Sequence, residues 1–151
     1  MQIDNTLTLI QAQAIITAAL GGQRSIPPRP IAVAVCDAGG HPLALVREAA
    51  AAPLLAHIAL AKAFTCVVYG RETGELAAIA DDYPTWFNGI SRVAQASMGS
   101  PLAGSKGGLF IRGVDGHVLG AVGVAGETGE TDVSLARHGL EIGGFLLSAA
   151  T

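Results

Sequence analysis

A chain of 151 residues has the size of one domain and leaves no room for a second complete core. Half of its residues are apolar and only 14% are charged, against about 25% in ordinary domains, which excludes a disordered or polyelectrolyte chain. A net charge of -3, with no Lys/Arg cluster, leaves no basic field for phosphates, so a nucleic-acid partner is not expected.

The predicted elements run as follows. Thr8 and Gln11 form a capping box, and Leu9, Ala12, Ile16, Ala19 and Leu20 recur at helical spacing up to the stop at Gly21-Gly22. Ser25 to Pro30 carries three prolines and reads as an extended connector. Ile31 to Cys36 and Leu43 to Arg47 are strand-like and flank the turn residues Asp37-Ala38-Gly39-Gly40-His41, which makes a β-hairpin. Leu54, Leu55, Ile58, Ala61, Lys62, Thr65 and Cys66 mark a second helix ending near Gly70, and Thr73 suits the cap of a short third one through Ala80. Asp81 to Lys106 shows little periodicity and is expected to be rich in loops. A second hairpin pairs Leu109 to Arg112 with Val118 to Val124, and a final helix is expected from about Thr131 to Ala149.

The most apolar stretch, Ala49 to Ala63, is interrupted by Pro53, His57 and Lys62, so no membrane span is expected. Met1-Gln2-Ile3-Asp4-Asn5 has neither a basic nor an apolar leader region, which suits a cytoplasmic protein. Cys36 and Cys66 lie in a strand-like and a helix-like run and read as buried thiols rather than a disulfide framework. With so few charges to cover the surface of a small domain, subunit interfaces are expected to hide some of it, hence a homo-oligomer. The segment Glu-Thr-Gly-Glu occurs at 72–75 and again at 127–130, each time before a helix, where carboxylates favour the positive end of the dipole; the alternative reading of the pairs Glu72/Glu75 and Glu127/Glu130 is as hard oxygen ligands for ferric iron.

Taken together and in order, Leu7-Thr8-Leu9, Val33-Ala34-Val35-Cys36-Asp37 with Gly40, Arg47-Glu48-Ala49, Ile58-Ala59, Lys62-Ala63 with Thr65, Thr73, Gly107-Gly108, Gly120-Ala121-Val122-Gly123-Val124 with Gly126, and Asp132 carry a family pattern. The chain resembles the GlcG/HbpS-like, or haem-degrading domain, family, which includes the C-terminal part of PduO-type proteins. The resemblance covers nearly the whole chain as a single domain, residues 1–151. It implies an α+β fold with an antiparallel five-stranded sheet and helices packed against it, oligomeric assembly, and haem or another tetrapyrrole as a possible ligand. Glu48 stands where the family usually has aspartate.

The candidate site residues follow from chemistry. Arg47 ends the first hairpin and Lys62 lies two turns into the second helix; two converging cations suit a carboxylate or a haem propionate, bidentate at the guanidinium. The plainer alternative pairs Arg47 with Glu48 or Asp132 as scaffold. Gly107-Gly108 lets backbone approach a ligand or starts a strand with an unusual turn. Trp86-Phe87-Asn88 is expected to cover the mouth of the pocket. If the protein is instead a cofactor-independent enzyme acting on a small carboxylated metabolite, Glu48, His57 or Asp132 would move the proton. His41 and His117 follow turns and read as exposed, and His138 lies on the final helix. Metal-ligand spacings, a Gly-x-Ser-x-Gly elbow and a phosphate loop are all missing, so no metal site is assigned.

Overall fold

A computed structural model describes residues 6–145 and 147. In chain order it holds α1 (Leu9–Leu20), β1 (Ala32–Asp37), β2 (Pro42–Arg47), α2 (Leu54–Tyr69), α3 (Thr73–Asp82), α4 (Pro84–Met98), β3 (Gly108–Arg112), β4 (Val118–Ala125) and α5 (Gly129–Ile142). The sheet order is β2-β1-β4-β3, antiparallel throughout, with Ala34 opposite both Leu45 and Gly123. Both expected hairpins are present. Joining them through β1 and β4 makes one sheet rather than two separate ribbons.

The sheet has four strands among the described residues, not five. The remaining extended segment, Ser25 to Pro30, does not join it, for a physical reason. Its prolines lack N–H donors, and the Arg29 N–H is spent on the Glu127 carboxylate at 2.6 Å.

Alternation along the strands sorts their side chains onto two faces. Val33 and Val35 of β1, Leu109 and Ile111 of β3, and Val122 and Val124 of β4 enter one cluster with Ile15, Ile16 and Ala19 of α1 and Leu135 and Leu140 of α5. Ala32, Ala34, Cys36, Ala121 and Ala125 face the other way, against α2. There α2 packs almost onto backbone. A Cβ added to Gly123 would lie 2.1 Å from the Ala59 carbonyl oxygen, so only glycine fits.

The middle of the chain is more ordered than its pattern suggested. Pro84 at the first turn and Gly99 at the left-handed C-cap bound α4, whose Phe87, Ile90 and Ala94 pack with Phe64 and Leu102. Trp86, Phe87, Ile90, Val93 and Ala94 do recur at helical spacing, so α4 is amphipathic; the glycines and polar residues around that stripe, not a missing period, favour the expectation of loops. Thr73 does not cap α3; Glu72 is its N-cap, and the Thr73 hydroxyl accepts the Gly108 N–H at 2.8 Å. The final helix starts earlier than expected, with Thr128 accepting the Thr131 N–H, and stops at Gly143; residues 146 and 148–151 lie outside the described residues. Within the described residues no single helix is long and apolar enough to cross a membrane. Both cysteines are buried free thiols, and burial pushes Cys36 up to about 12 and Cys66 in the same direction.

Candidate functional site

Lys62 projects from α2 past the end of β4. Its ammonium donates to the Val124 carbonyl at 2.7 Å and to Asp132 Oδ2 at 3.1 Å. Asp132 belongs to the first turn of α5, and its other oxygen accepts the Glu127 N–H at 3.0 Å. At 3% and 2% exposed, the two side chains form a buried ion pair with its hydrogen bonds satisfied. Burial lowers Lys62 from its ordinary value, against the attraction of Asp132, and burial raises Asp132 to about 6, against that of Lys62.

Gly107 and Gly108 pass directly over this pair. Gly107 has φ +126°, and a Cβ on it would sit 2.6 Å from the Val124 carbonyl oxygen and 2.9 Å from Lys62 Nζ. A Cβ on Gly108 would meet the Lys62 carbonyl oxygen at 2.7 Å. The space beside the glycines is thus taken by Lys62 and Asp132 themselves. Lys62, Asp132, Gly107 and Gly108 are brought together as one unit of the sheet end.

The other residues singled out by sequence lie elsewhere. Arg47 is on the exposed edge strand, and its guanidinium donates to the carbonyls of Glu48, Ala49 and Ala51, at 3.3, 3.2 and 2.5 Å, which ties down the turn into α2. Glu48 accepts the Ile31 N–H and pairs with Arg24, and the Arg24 hydrogen bond holds its carboxyl below the usual range. His57 is exposed on α2. Trp86 stands 44% exposed with its ring edge-on to Tyr69, Phe87 packs inward beneath α4, and Asn88 is exposed.

Two cavities stand out. The first, of about 360 Å³, lies between the β1–β2 turn, α2 and the end of α4, with Pro42, Leu60, Phe64 and Met98 as apolar walls and His41, Ser97 and Ser100 as polar groups. Asp37 fixes His41 there. Its Oδ1 accepts the His41 N–H at 3.0 Å, its own N–H donates to the His41 carbonyl at 2.9 Å, and the imidazole lies over Gly39. The second, of about 240 Å³, lies at the opposite end of the sheet between the starts of α3 and α5, lined by Glu72, Glu75, Lys106, Leu109, Glu130, Val133 and Arg137. Neither lining includes Arg47 or Lys62.

Sequence reasoning named neither Met98 nor Arg137. The repeated Glu-Thr-Gly-Glu was the available signal for the second cavity, and it read as cap chemistry. Among the described residues, no three His, Cys, Asp or Glu side chains gather closely enough to hold a metal ion.

Residues 7–141 match the model of the family described as haem degrading protein HbpS-like. This chain belongs to the HbpS-like family. The HbpS-like chain is 35% identical over 95 residues to protein GlcG of Escherichia coli, a match spanning 63% of each chain, so it covers less than two thirds of that relative's length. It is similar to the solved Klebsiella pneumoniae protein ORFY, with TM-score 0.78 and 26% identity over 97% of this chain and 96% of that one. A Streptomyces reticuli HbpS double mutant superposes with TM-score 0.73 and 29% identity, over 94% of this chain and 90% of that one. A PduOC:haem complex shares the fold at TM-score 0.76 and 21% identity, with 94% and 98% covered.

Proposed function

We propose that this protein binds haem in the cavity between the β1–β2 turn, α2 and α4. The observation that carries this reading is the composition of that cavity. Apolar walls from Leu60, Phe64 and Pro42 suit a flat macrocycle, while the His41 imidazole and the Met98 thioether are the two side chains in the lining able to ligate haem iron. The description of the family as haem-degrading supports the same ligand. Among the described residues no charged side chain lines this cavity, so the propionates would stay in solvent while the macrocycle is buried. Asp37 holds the backbone of His41 in one conformation, which lowers the ordering cost of binding. Haem, when bound, supplies the redox and ligand-exchange chemistry of its iron; the chain's contribution is an apolar slot and the donors beside it.

Hemin titrated into the protein is expected to give a saturable Soret change at one haem per chain. His41→Ala is expected to change the ligand signature and weaken binding at least about tenfold, as loss of a coordinating donor should, and Met98→Leu to alter the spectrum with a smaller loss. Absence of saturable binding, or spectra and affinities identical in parent, His41→Ala and Met98→Leu, would overturn this reading.

A further inference from the structure

The two Glu-Thr-Gly-Glu segments perform matching tasks on either side of one cleft. In each, the first glutamate accepts backbone N–H groups from a neighbouring segment: Glu72 takes that of Phe110 at 2.9 Å, and Glu127 that of Arg29 together with the Ser25 hydroxyl. In each, the threonine accepts a backbone N–H, Thr73 from Gly108 and Thr128 from Thr131. The Lys106 stem runs past both glycines: a Cβ added at Gly129 would crowd it at 3.2 Å, and one at Gly74 would touch it at an ordinary 3.7 Å. The second glutamates, Glu75 and Glu130, then line the cleft.

The charges in this cleft are only partly spent. Lys106 Nζ pairs with Glu130 at 2.9 Å, and Glu72 is engaged by the Phe110 N–H. That leaves Glu75 on α3 and the half-buried Arg137 on α5, of opposite sign, neither given an ion-pair partner among the described residues. Leu109 and Val133 provide an apolar patch in the same lining. A simple anion would meet the carboxylates, and a simple cation would meet Arg137. A ligand carrying both charges meets neither objection. The cavity volume of about 240 Å³ lies just under the roughly 300–1,000 Å³ of pockets for drug-sized ligands, which suits a smaller molecule with a side chain of a few carbons.

We infer that this cleft binds a free α-amino acid with an aliphatic side chain. Arg137 takes the carboxylate as a planar fork, Glu75 takes the ammonium, and Leu109 with Val133 receives the side chain. The site lies at the opposite end of the sheet from the proposed haem cavity and does not depend on it.

Calorimetric titration of the whole chain with L-leucine, L-valine and L-isoleucine tests the inference, with isocaproate and isoamylamine as the analogues lacking one charge each. Saturable binding is expected for at least one of the three amino acids and for neither analogue at the same concentration. Glu75→Gln and Arg137→Gln are each expected to weaken it at least about tenfold, the loss of one charge-assisted hydrogen bond, with unchanged circular dichroism. Glu75 is exposed, so its variant keeps the test intact should Arg137→Gln fold poorly. No saturable binding by any of the amino acids, equal binding of isocaproate and leucine, or parent-like binding by Glu75→Gln would overturn the inference. Hemin titration of the same variant is expected to match the parent, which separates a failure at this cleft from a failure of the haem reading.

Discussion

The two faces of the sheet are built from the same strands and solve opposite problems. Toward α1 and α5 they present Val33, Val35, Leu109, Ile111, Val122 and Val124, an apolar layer that keeps the helices at side-chain distance. Toward α2 the central strands present alanines, Cys36 and Gly123, which let the helix approach to backbone contact, while Phe110 of β3 packs beside Ala63 and Cys66. Burial area dominates on the first face and shape on the second. The close approach of α2 also lets Lys62 reach across the end of β4 to Asp132 on α5, so the small-residue face holds the one buried charge pair among the described residues.

The largest expected effect tests that pair. Asp132→Ala leaves the Lys62 ammonium buried without its counter-charge and is expected to cost about 3–5 kcal/mol in urea unfolding, whereas Lys62→Met combined with Asp132→Leu should recover much of the loss. If Asp132→Ala cost no more than Glu130→Ala at the exposed Lys106 pair, water reaches the buried pair and the small-residue face is not tightly closed.

A methyl group separates the faces in sign. Gly123→Ala adds one where the Ala59 carbonyl stands and is expected to destabilise by about 1–3 kcal/mol. Ile111→Val removes one from the opposite face and is expected to cost about 0.5–1.5 kcal/mol. A neutral or stabilising Gly123→Ala in the same denaturation series would remove the contrast.

The smallest effect concerns the seam where the connector after α1 meets the sheet edge. Glu48 is held below its ordinary 4.5, chiefly by Arg24, so its contribution is present above about pH 4.5 and is lost as pH falls through the lower, folded-state value. The pair is partly exposed, and the contribution at neutral pH is expected to stay below about 1 kcal/mol. Glu48→Gln should lack this pH dependence, and the stability curves of parent and variant should draw closer as the medium becomes more acidic. Curves that stay parallel down to acid unfolding would show that Arg24 gives Glu48 no favourable coupling.

Local signals were legible where the chemistry is local. The Thr8–Gln11 capping box, the glycine stops at Gly21 and Gly70, and both hairpins stand in the sequence because caps, turns and alternation depend on neighbouring residues. Helix α4 was legible as well, since Trp86, Phe87, Ile90, Val93 and Ala94 recur at helical spacing after Pro84; the expectation of loops gave the surrounding glycines and prolines more weight than that period, and Phe64 and Leu102 cover its inward side. The fifth strand implied by the family resemblance is not found among the described residues, and Ser25 to Pro30, read from its prolines as a connector, stays outside the four-stranded sheet.

The candidate site residues divide in the same way. Sequence alone singled out Lys62 as a charge in an apolar helix, Gly107-Gly108 as a double glycine before a strand, and Asp132 as part of the family pattern and a candidate partner or proton carrier. Only the tertiary structure decided that they meet one another, because 70 positions separate Lys62 from Asp132 and their distance depends on how closely α2 packs on Gly123. Likewise the two Glu-Thr-Gly-Glu segments were visible as a repeat, but that both flank Lys106, and that Arg137 joins them, follows from the placement of α3 and α5 beside β3. Periodicity reports which face of an element is apolar; which polar ends converge is set by the three-dimensional path of the chain.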